Sequence, residues 1–341
     1  MRKIGILTGG GDCPGLNAVI RGVVEQCVKA GIEVYGLSLG WKGALTGEGK
    51  WLTLDDVEGI QTKGGTILKS SRTNVMKIEN GPEKVRATME NLGLEGIVAI
   101  GGDDTLGVAN KLTKMGMKMI GVPKTIDNDL SCTDYTFGFD TSANVAMELI
   151  DRLHTTAESH NRCFVVEIMG RHTGWIAIQA GLAANAHLIL IPEFPKTIDQ
   201  ICDVLIKRKE RGCGYSIVAV AEGFEIEGIE DEVELDAFGN KILLQKEIGK
   251  TLASMIEKKT GLETRAVVLG HTVRGGAPSA FDRILGTKMG IKAGELVVSG
   301  NYGNMVALSG TEIVVADLDK AVTERKLVDK AYYDIAELYS K

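Results

Sequence analysis

Short runs of consecutive apolar residues alternate along this chain with longer stretches in which apolar residues recur every three or four positions. Ile4–Leu7, Glu33–Leu37, Ile97–Ile100, Lys118–Val122, Phe164–Ile168, His187–Ile191, Tyr215–Ala221 and Thr264–Leu269 read as strands. Runs this short and this continuous suit strands covered on both faces. Leu16–Ala30, Pro82–Leu92, Leu106–Met115, Ser142–Glu158, Trp175–Ala184 and Ile198–Arg211 read as helices, the first ended by Gly31. Strand–helix alternation predicts an α/β fold with mostly parallel sheets.

Composition narrows this picture little. The chain has 341 residues, 44% hydrophobic and 25% charged, enough for two domains or one large α/β unit. A net charge of −6 gives no basis for nucleic-acid or membrane-surface binding. The six cysteines form no C-x-x-C pair, which suits reduced thiols in a cytoplasmic protein. Met1-Arg2-Lys3 leads directly into the first strand with no signal-peptide apolar region, and no run is long enough to span a bilayer. An acidic stretch, Glu225–Asp236, followed by a turn at Asp236–Asn240, reads as a solvated hairpin.

Candidate chemistry gathers where strands end. Thr8–Asp12, Gly101–Thr105, Pro123–Asp129, Met169–Gly174, Glu222-Gly223 and His271–Gly276 each follow a predicted strand. In open parallel sheets ligands bind beyond the carboxyl ends of the strands, so these loops are expected to face a cleft. The first loop, Gly9-Gly10-Gly11-Asp12-Cys13-Pro14, is not a dinucleotide fingerprint, because Pro14 stands at the sixth position, nor a Walker A loop, because Leu16-Asn17 stands where Lys-Ser/Thr is needed. Its glycines still expose backbone N–H groups at a helix start, which attract phosphate. Asp103 suits a divalent cation, since Mg2+ prefers one or two carboxylates plus phosphate oxygens. In Thr125-Ile126-Asp127-Asn128-Asp129, one carboxylate can take the proton of an attacking hydroxyl. Lys124 before it supplies a point charge for phosphate oxygens.

These residues, with Gly64-Gly65-Thr66, Ser71-Arg72, Met169–His172, Thr264–Ala266 and Leu269–Gly276, resemble the phosphofructokinase family, in the family's order, from residue 1 to about residue 310. The resemblance implies two interleaved three-layer α/β domains with the active site between them. It places a phosphoryl-donor domain at residues 1–138 plus about 273–323, and a sugar-phosphate domain at 139–272 plus about 324–341. It implies that Asp127 is the general base on the 1-hydroxyl of fructose 6-phosphate, with Asp129 supporting it and Arg171 also catalytic. Asp103 matches the Mg2+ position. Gly10, Arg72, Asp104, Thr105 and Lys124 match donor-binding positions. Thr125, Ile126, Met169, Gly170, Arg171, Glu222, His271 and Arg274 match the sugar-phosphate site. Arg162 and Arg265 match arginines that reach into a neighbouring subunit's site, which implies a homo-oligomer, dimer or tetramer.

Within the family, ATP-using members carry glycine at the position of Asp104. Pyrophosphate-using members carry aspartate there and lysine at the position of Lys124, and this chain has both. Pyrophosphate is therefore the expected donor, and ATP the alternative; sedoheptulose 7-phosphate shares the reacting end and is the alternative acceptor. The Gly-Gly-Asp-x-Thr turn also resembles one in NAD kinases and lipid kinases, against which the sugar loop and the two arginines argue. Regulated members ring an effector site with basic residues. Here Arg21 and Arg211 match, while Glu25, Leu54, His154, Cys213 and Tyr215 stand at the other positions and His187 replaces an acidic residue, so control by ADP or phosphoenolpyruvate is not expected.

Overall fold

The computed structural model describes residues 1–226 and 247–340; from residue 227 on, the acidic stretch expected to form a hairpin lies outside the described residues. The strands among them are β1 (Lys3–Thr8), β2 (Glu33–Leu37), β3 (Gly49–Leu52), β4 (Ile97–Gly101), β5 (Met119–Pro123), β6 (Cys163–Ile168), β7 (Leu188–Leu190), β8 (Ser216–Ala221), β9 (Thr264–Val268), β10 (Asn304–Ser309) and β11 (Glu312–Asp317). The chain divides into two compact units, Met1–Thr141 with Arg274–Lys326, and Ser142–Val273 with Leu327–Lys341. No helix among the described residues is long and apolar enough to cross a membrane.

The first unit is built on a seven-stranded sheet in the order β11-β10-β5-β4-β1-β2-β3. Its five central strands are parallel, and β3 and β11 add antiparallel edges. β4 and β5 are buried at every position, as a sheet covered on both faces requires. The chain moves from β1 to β2 on one side and from β4 to β5 on the other, so the strand order reverses between β1 and β4. Such a switch point opens a crevice at the carboxyl ends of its two strands. Here those ends carry Gly9–Asp12 and Gly101–Thr105.

A close helix pair braces this unit. Leu16–Lys29 lies against Ala280–Ser299 with small residues at the contact. A Cβ on Gly290 would stand 2.4 Å from the Val19 carbonyl oxygen, and one on Gly22 would stand 2.8 Å from that of Thr287. At the start of the second helix, Asp282 is fully buried and its Oδ2 accepts from the Thr141 amide (2.8 Å) and hydroxyl (2.5 Å).

The second unit has a four-stranded parallel sheet, β7-β8-β6-β9. Leu188, Leu190, Val218 and Val220 on the sheet join Ile201 and Leu205 of the helix Ile198–Glu210 in its core. β8, β6 and β9 are adjacent, so the loops that leave their carboxyl ends are neighbours.

Candidate active site

In the first unit, β1 runs into Gly9–Asp12 and β4 into the helix Asp103–Lys114, and the two turns pack directly on each other. A Cβ on Gly9 would stand 2.5 Å from the Thr105 hydroxyl, and one on Gly101 would stand 2.3 Å from the Thr105 Cβ. Glycine at both places lets β1 and β4 bring their loops together around Thr105. Gly10 takes φ +75°, its amide donates to the Ser71 carbonyl (3.2 Å), and its carbonyl accepts from the Ser70 hydroxyl. These contacts join Gly10–Asp12 to Thr66–Arg72 around a cavity of about 440 Å3, which Gly10 and Arg72 both line. Lys69 and Ser70 line it too and were not singled out from the sequence, where Gly64-Gly65-Thr66 and Ser71-Arg72 signalled the segment on either side of them.

Asp103 and Asp104 were expected in a loop before a helix starting at Leu106; instead they form its first turn, with Gly102 at the N-cap. The helix start accommodates acidic side chains because its free N–H groups carry partial positive charge. Asp103 Oδ1 accepts from the Asp104 amide at 2.8 Å. Lys124 is 3% exposed, and its ammonium donates to the Gly11 carbonyl from beneath the first loop. Burial pushes its pKa down, and the nearby Arg274 guanidinium adds to this. Arg274 itself donates to the Asp12 carbonyl at 2.9 Å. The structure thus sets this sequence-predicted sugar-phosphate residue against the first loop.

The loop after β5 is buried: Thr125 is 8%, Asp127 8% and Asp129 7% exposed. Ile126 is wholly buried, a packing residue under the loop. The Asp127 amide donates to the Thr125 hydroxyl at 3.0 Å, a local turn that fixes the carboxylate's direction. Burial raises the Asp129 pKa to about 7; the negative charges of Asp127 and Asp103 push the same way, and Arg325, 4.0 Å from its Oδ2, opposes them. Asp129 therefore feels the negative charge of both Asp127 and Asp103. Among the described residues no group of three or more side chains forms a ready-made metal cage. That donor set fits Mg2+ held by one carboxylate plus donor phosphates, and the mutual repulsion of these carboxylates is the charge a dication would relieve.

In the second unit, Glu222 follows β8 and Met169–Arg171 follow β6. Glu222 Oε1 accepts from the Arg171 amide (2.7 Å) and the Gly170 amide (3.2 Å), shaping the loop from behind. Arg171 takes φ +56°. A Cβ on Gly223 would stand 2.1 Å from the Arg171 carbonyl oxygen, so this close approach needs glycine. His271 is exposed on the helical turn Gly270–Arg274 after β9.

Arg162 and Arg265 lie elsewhere. Arg162 precedes β6, and Arg265 is the second residue of β9, paired with Phe164. Both are at the amino ends of their strands. At roughly 3.3 Å per residue, β6 separates Arg162 from Met169–Arg171 by about 20 Å. Glu263, which the sequence did not suggest, holds both: its Oε1 is 2.8 Å from Arg162 and 2.6 Å from Arg265. These ion pairs lower the Glu263 pKa, Arg162 first.

Positions matching an effector ring are otherwise engaged. Arg21 pairs with Glu25 at 2.6 Å and donates to Gln61 at 2.6 Å, beside a cavity of about 390 Å3 that Asp55 and Glu58 also line. In the second unit His154, His187 and Tyr215 form an edge-to-face cluster with ring centres 5.3–5.8 Å apart.

Comparison with known proteins accords with this geometry. A family profile described as Phosphofructokinase matches residues 3–297. The chain is 53% identical over 341 residues to a pyrophosphate–fructose 6-phosphate 1-phosphotransferase of Amycolatopsis methanolica, covering 99% of each. It is 47% identical over 339 residues to an ATP-dependent 6-phosphofructokinase 3 of Streptomyces coelicolor, covering 98% of this chain and 99% of that one. Among solved structures it resembles a Pichia pastoris phosphofructokinase in the T-state, with a TM-score of 0.83 and 31% identity, over 99% of this chain and 37% of that one.

Proposed function

The chain belongs to the phosphofructokinase family, and from that premise we propose that it transfers a phosphoryl group reversibly from pyrophosphate to the 1-hydroxyl of fructose 6-phosphate, giving fructose 1,6-bisphosphate and phosphate. The observation that carries the donor assignment is the pair Asp104 and Lys124. Asp104 stands in the first turn of the helix at the switch point, and Lys124 lies beneath Gly11. A carboxylate beside the donor site repels the extra phosphate of a nucleotide, and a buried ammonium attracts a small donor of high charge. Relatives named for each donor stand at similar identity, so ATP is the second reading.

Asp127 takes the proton of the 1-hydroxyl as its oxygen attacks the terminal phosphorus. The bond from that phosphorus to the bridging oxygen breaks, and inorganic phosphate leaves. Arg72, the Gly11 amide and Lys124 stabilise the donor and leaving-group oxygens, with Gly10 shaping the turn that presents them. Asp129 supports Asp127 as the neighbouring carboxylate of the same buried loop. Mg2+, held by Asp103 and donor oxygens, supplies charge neutralisation when bound. Met169–Arg171, Glu222 and His271 bind the sugar phosphate, with Glu222 acting through the loop it shapes.

Arg162 and Arg265 serve a neighbouring copy's sugar-phosphate site, making the active unit at least a dimer. Their place at the amino ends of β6 and β9, away from their own Met169–Arg171 loop, supports this. Arg21 is held by Glu25 and the aromatic cluster replaces further cations, so the enzyme works without ADP or phosphoenolpyruvate control. Free thiols at all six cysteines accord with a cytoplasmic enzyme. The test is isotope exchange: with fructose 1,6-bisphosphate, Mg2+ and labelled inorganic phosphate, label enters pyrophosphate without any nucleotide. No label in pyrophosphate, with ATP formed instead from fructose 1,6-bisphosphate and added ADP, contradicts the reading.

A further inference from the structure

We propose that Lys326 is a positioning residue for this reaction, its ammonium acting through Asn128 to hold the loop that carries Asp127 and Asp129 in its working shape. The inference rests on the reading of Asp127 as the base.

Asn128 lies between the two carboxylates, is 2% exposed, and takes φ +52°. Few residues other than glycine adopt this left-handed conformation; asparagine is one, because its short polar side chain can bond locally. Here Asn128 Oδ1 accepts from the Thr136 amide at 3.1 Å and from Lys326 Nζ at 2.9 Å. Lys326 stands 198 positions further along the chain. Its ammonium also donates to the carbonyls of Thr133 (3.0 Å) and Asp134 (2.8 Å). An ammonium has three N–H donors and no acceptor, and three of its contacts go to this one loop. The backbone completes the clamp. The Lys326 amide donates to the Asp129 carbonyl at 2.9 Å, and Arg325 pairs with Leu130 in an antiparallel bridge.

An ammonium that is partly buried is costly to desolvate, and here burial pushes its pKa down to about 8. A cation kept under that penalty and spent on one loop points to geometry as its contribution. A base must meet its proton within hydrogen-bond reach, and a misplacement of about 1 Å costs on the order of a hundredfold in rate. Lys326 touches no reacting atom, so its effect is on turnover through Asp127's placement.

The experiment compares Lys326→Met, Asn128→Gly, the double variant and Asp127→Asn, all as full chains. Lys326→Met keeps the apolar stem and deletes the donors. Asn128→Gly keeps the left-handed backbone and deletes only the acceptor. Each is expected to lower kcat about ten- to a hundredfold, with KM for both substrates within about twofold. The double variant is expected to lose clearly less than the product of the two single losses, because the singles share the Lys326–Asn128 bond. Normal kcat in folded Lys326→Met, losses that multiply in the double variant, or a loss confined to KM overturns the proposal. If Lys326→Met does not fold, Asn128→Gly decides alone, and normal kcat there overturns it. Turnover retained by Asp127→Asn removes the base assignment and this proposal with it. An inactive Asp127→Asn beside a normal Lys326→Met removes this proposal only.

Discussion

Lys124 reaches under the first loop and donates its ammonium hydrogen to the carbonyl of Gly11, so the cation is fixed below the amides of Gly10 and Gly11. The glycine turn at the end of β1 is thus presented with positive charge beneath it. Two of the donor-site elements read from sequence, the Gly loop and the lysine after β5, meet through this one contact. The contact bears directly on the donor question, because a fixed cation serves a small polyanion without any surface for adenosine.

Asp104 makes that question testable. A carboxylate about 4 Å from a phosphate costs on the order of 4 kcal/mol per unit charge pair at an effective dielectric of 20. Asp104→Gly is expected to admit ATP and to reduce pyrophosphate turnover. Asp104→Asn separates charge from bulk: it gains ATP turnover if repulsion is the barrier and does not if the barrier is steric. ATP turnover that stays undetectable in both contradicts the assignment of donor choice to this residue. Steady-state assays with each donor read the result.

Asp127→Asn is expected to lower kcat at least about a hundredfold, the low end for loss of a positioned base, while substrate KM changes little. Near-normal kcat shows that the base lies elsewhere. Asp103→Ala is expected instead to raise the Mg2+ concentration needed for half-maximal activity. Titrating the metal at saturating substrate reads this directly.

Subunit mixing tests the two arginines. An Asp127→Ser protein and an Arg162→Ala protein are each expected to be nearly inactive. Mixed under conditions of subunit exchange, they regenerate sites that take Asp127 from one chain and Arg162 from the other. No recovery despite exchange contradicts shared sites, and so does a fully active monomer in sedimentation.

His187 predicts an acid limb in stability. It is 8% exposed, and its Nδ1 accepts the Ile217 amide at 2.9 Å, which requires the neutral ring. Burial first, then Arg208 and His154, lower its pKa from 6.5 to about 4. Between those values the unfolded chain holds more protons than the folded one. Stability is therefore present above pH 6.5 and lost as pH falls towards about 4, by up to about 3 kcal/mol. His187→Asn, which keeps an acceptor without titrating there, is expected to flatten the fall of Tm across this range. An unchanged slope contradicts the assignment.

The parallel core was legible because its strands are continuous apolar runs, and the loops were legible because glycine and charge follow those runs. Distant partners were not. Ala280–Ser299 escaped notice because Gly286, Gly290 and Gly294 break its apolar stripe, and only the close approach of Leu16–Lys29 explains them. β10 and β11 went unread although each carries an apolar run, Met305–Leu308 and Ile313–Ala316, and β11 is an exposed edge. Asp103 and Asp104 looked like loop residues because acids are poor interior helix formers, yet they suit a first turn. Within the site, Asp127, Asp103 and Lys124 stood out by type and spacing. Glu263 and Lys326 did not, since nothing local marks a carboxylate that links two arginines or a lysine that bonds a loop 198 positions away.

The central claim is that pyrophosphate is the phosphoryl donor. Its most direct test is the ratio of kcat/KM for pyrophosphate to that for ATP, measured on the unaltered protein with saturating fructose 6-phosphate and Mg2+. The account predicts a ratio well above one, by about a thousandfold if a repulsion of about 4 kcal/mol acts in full. A ratio below one contradicts it and assigns the chain to ATP.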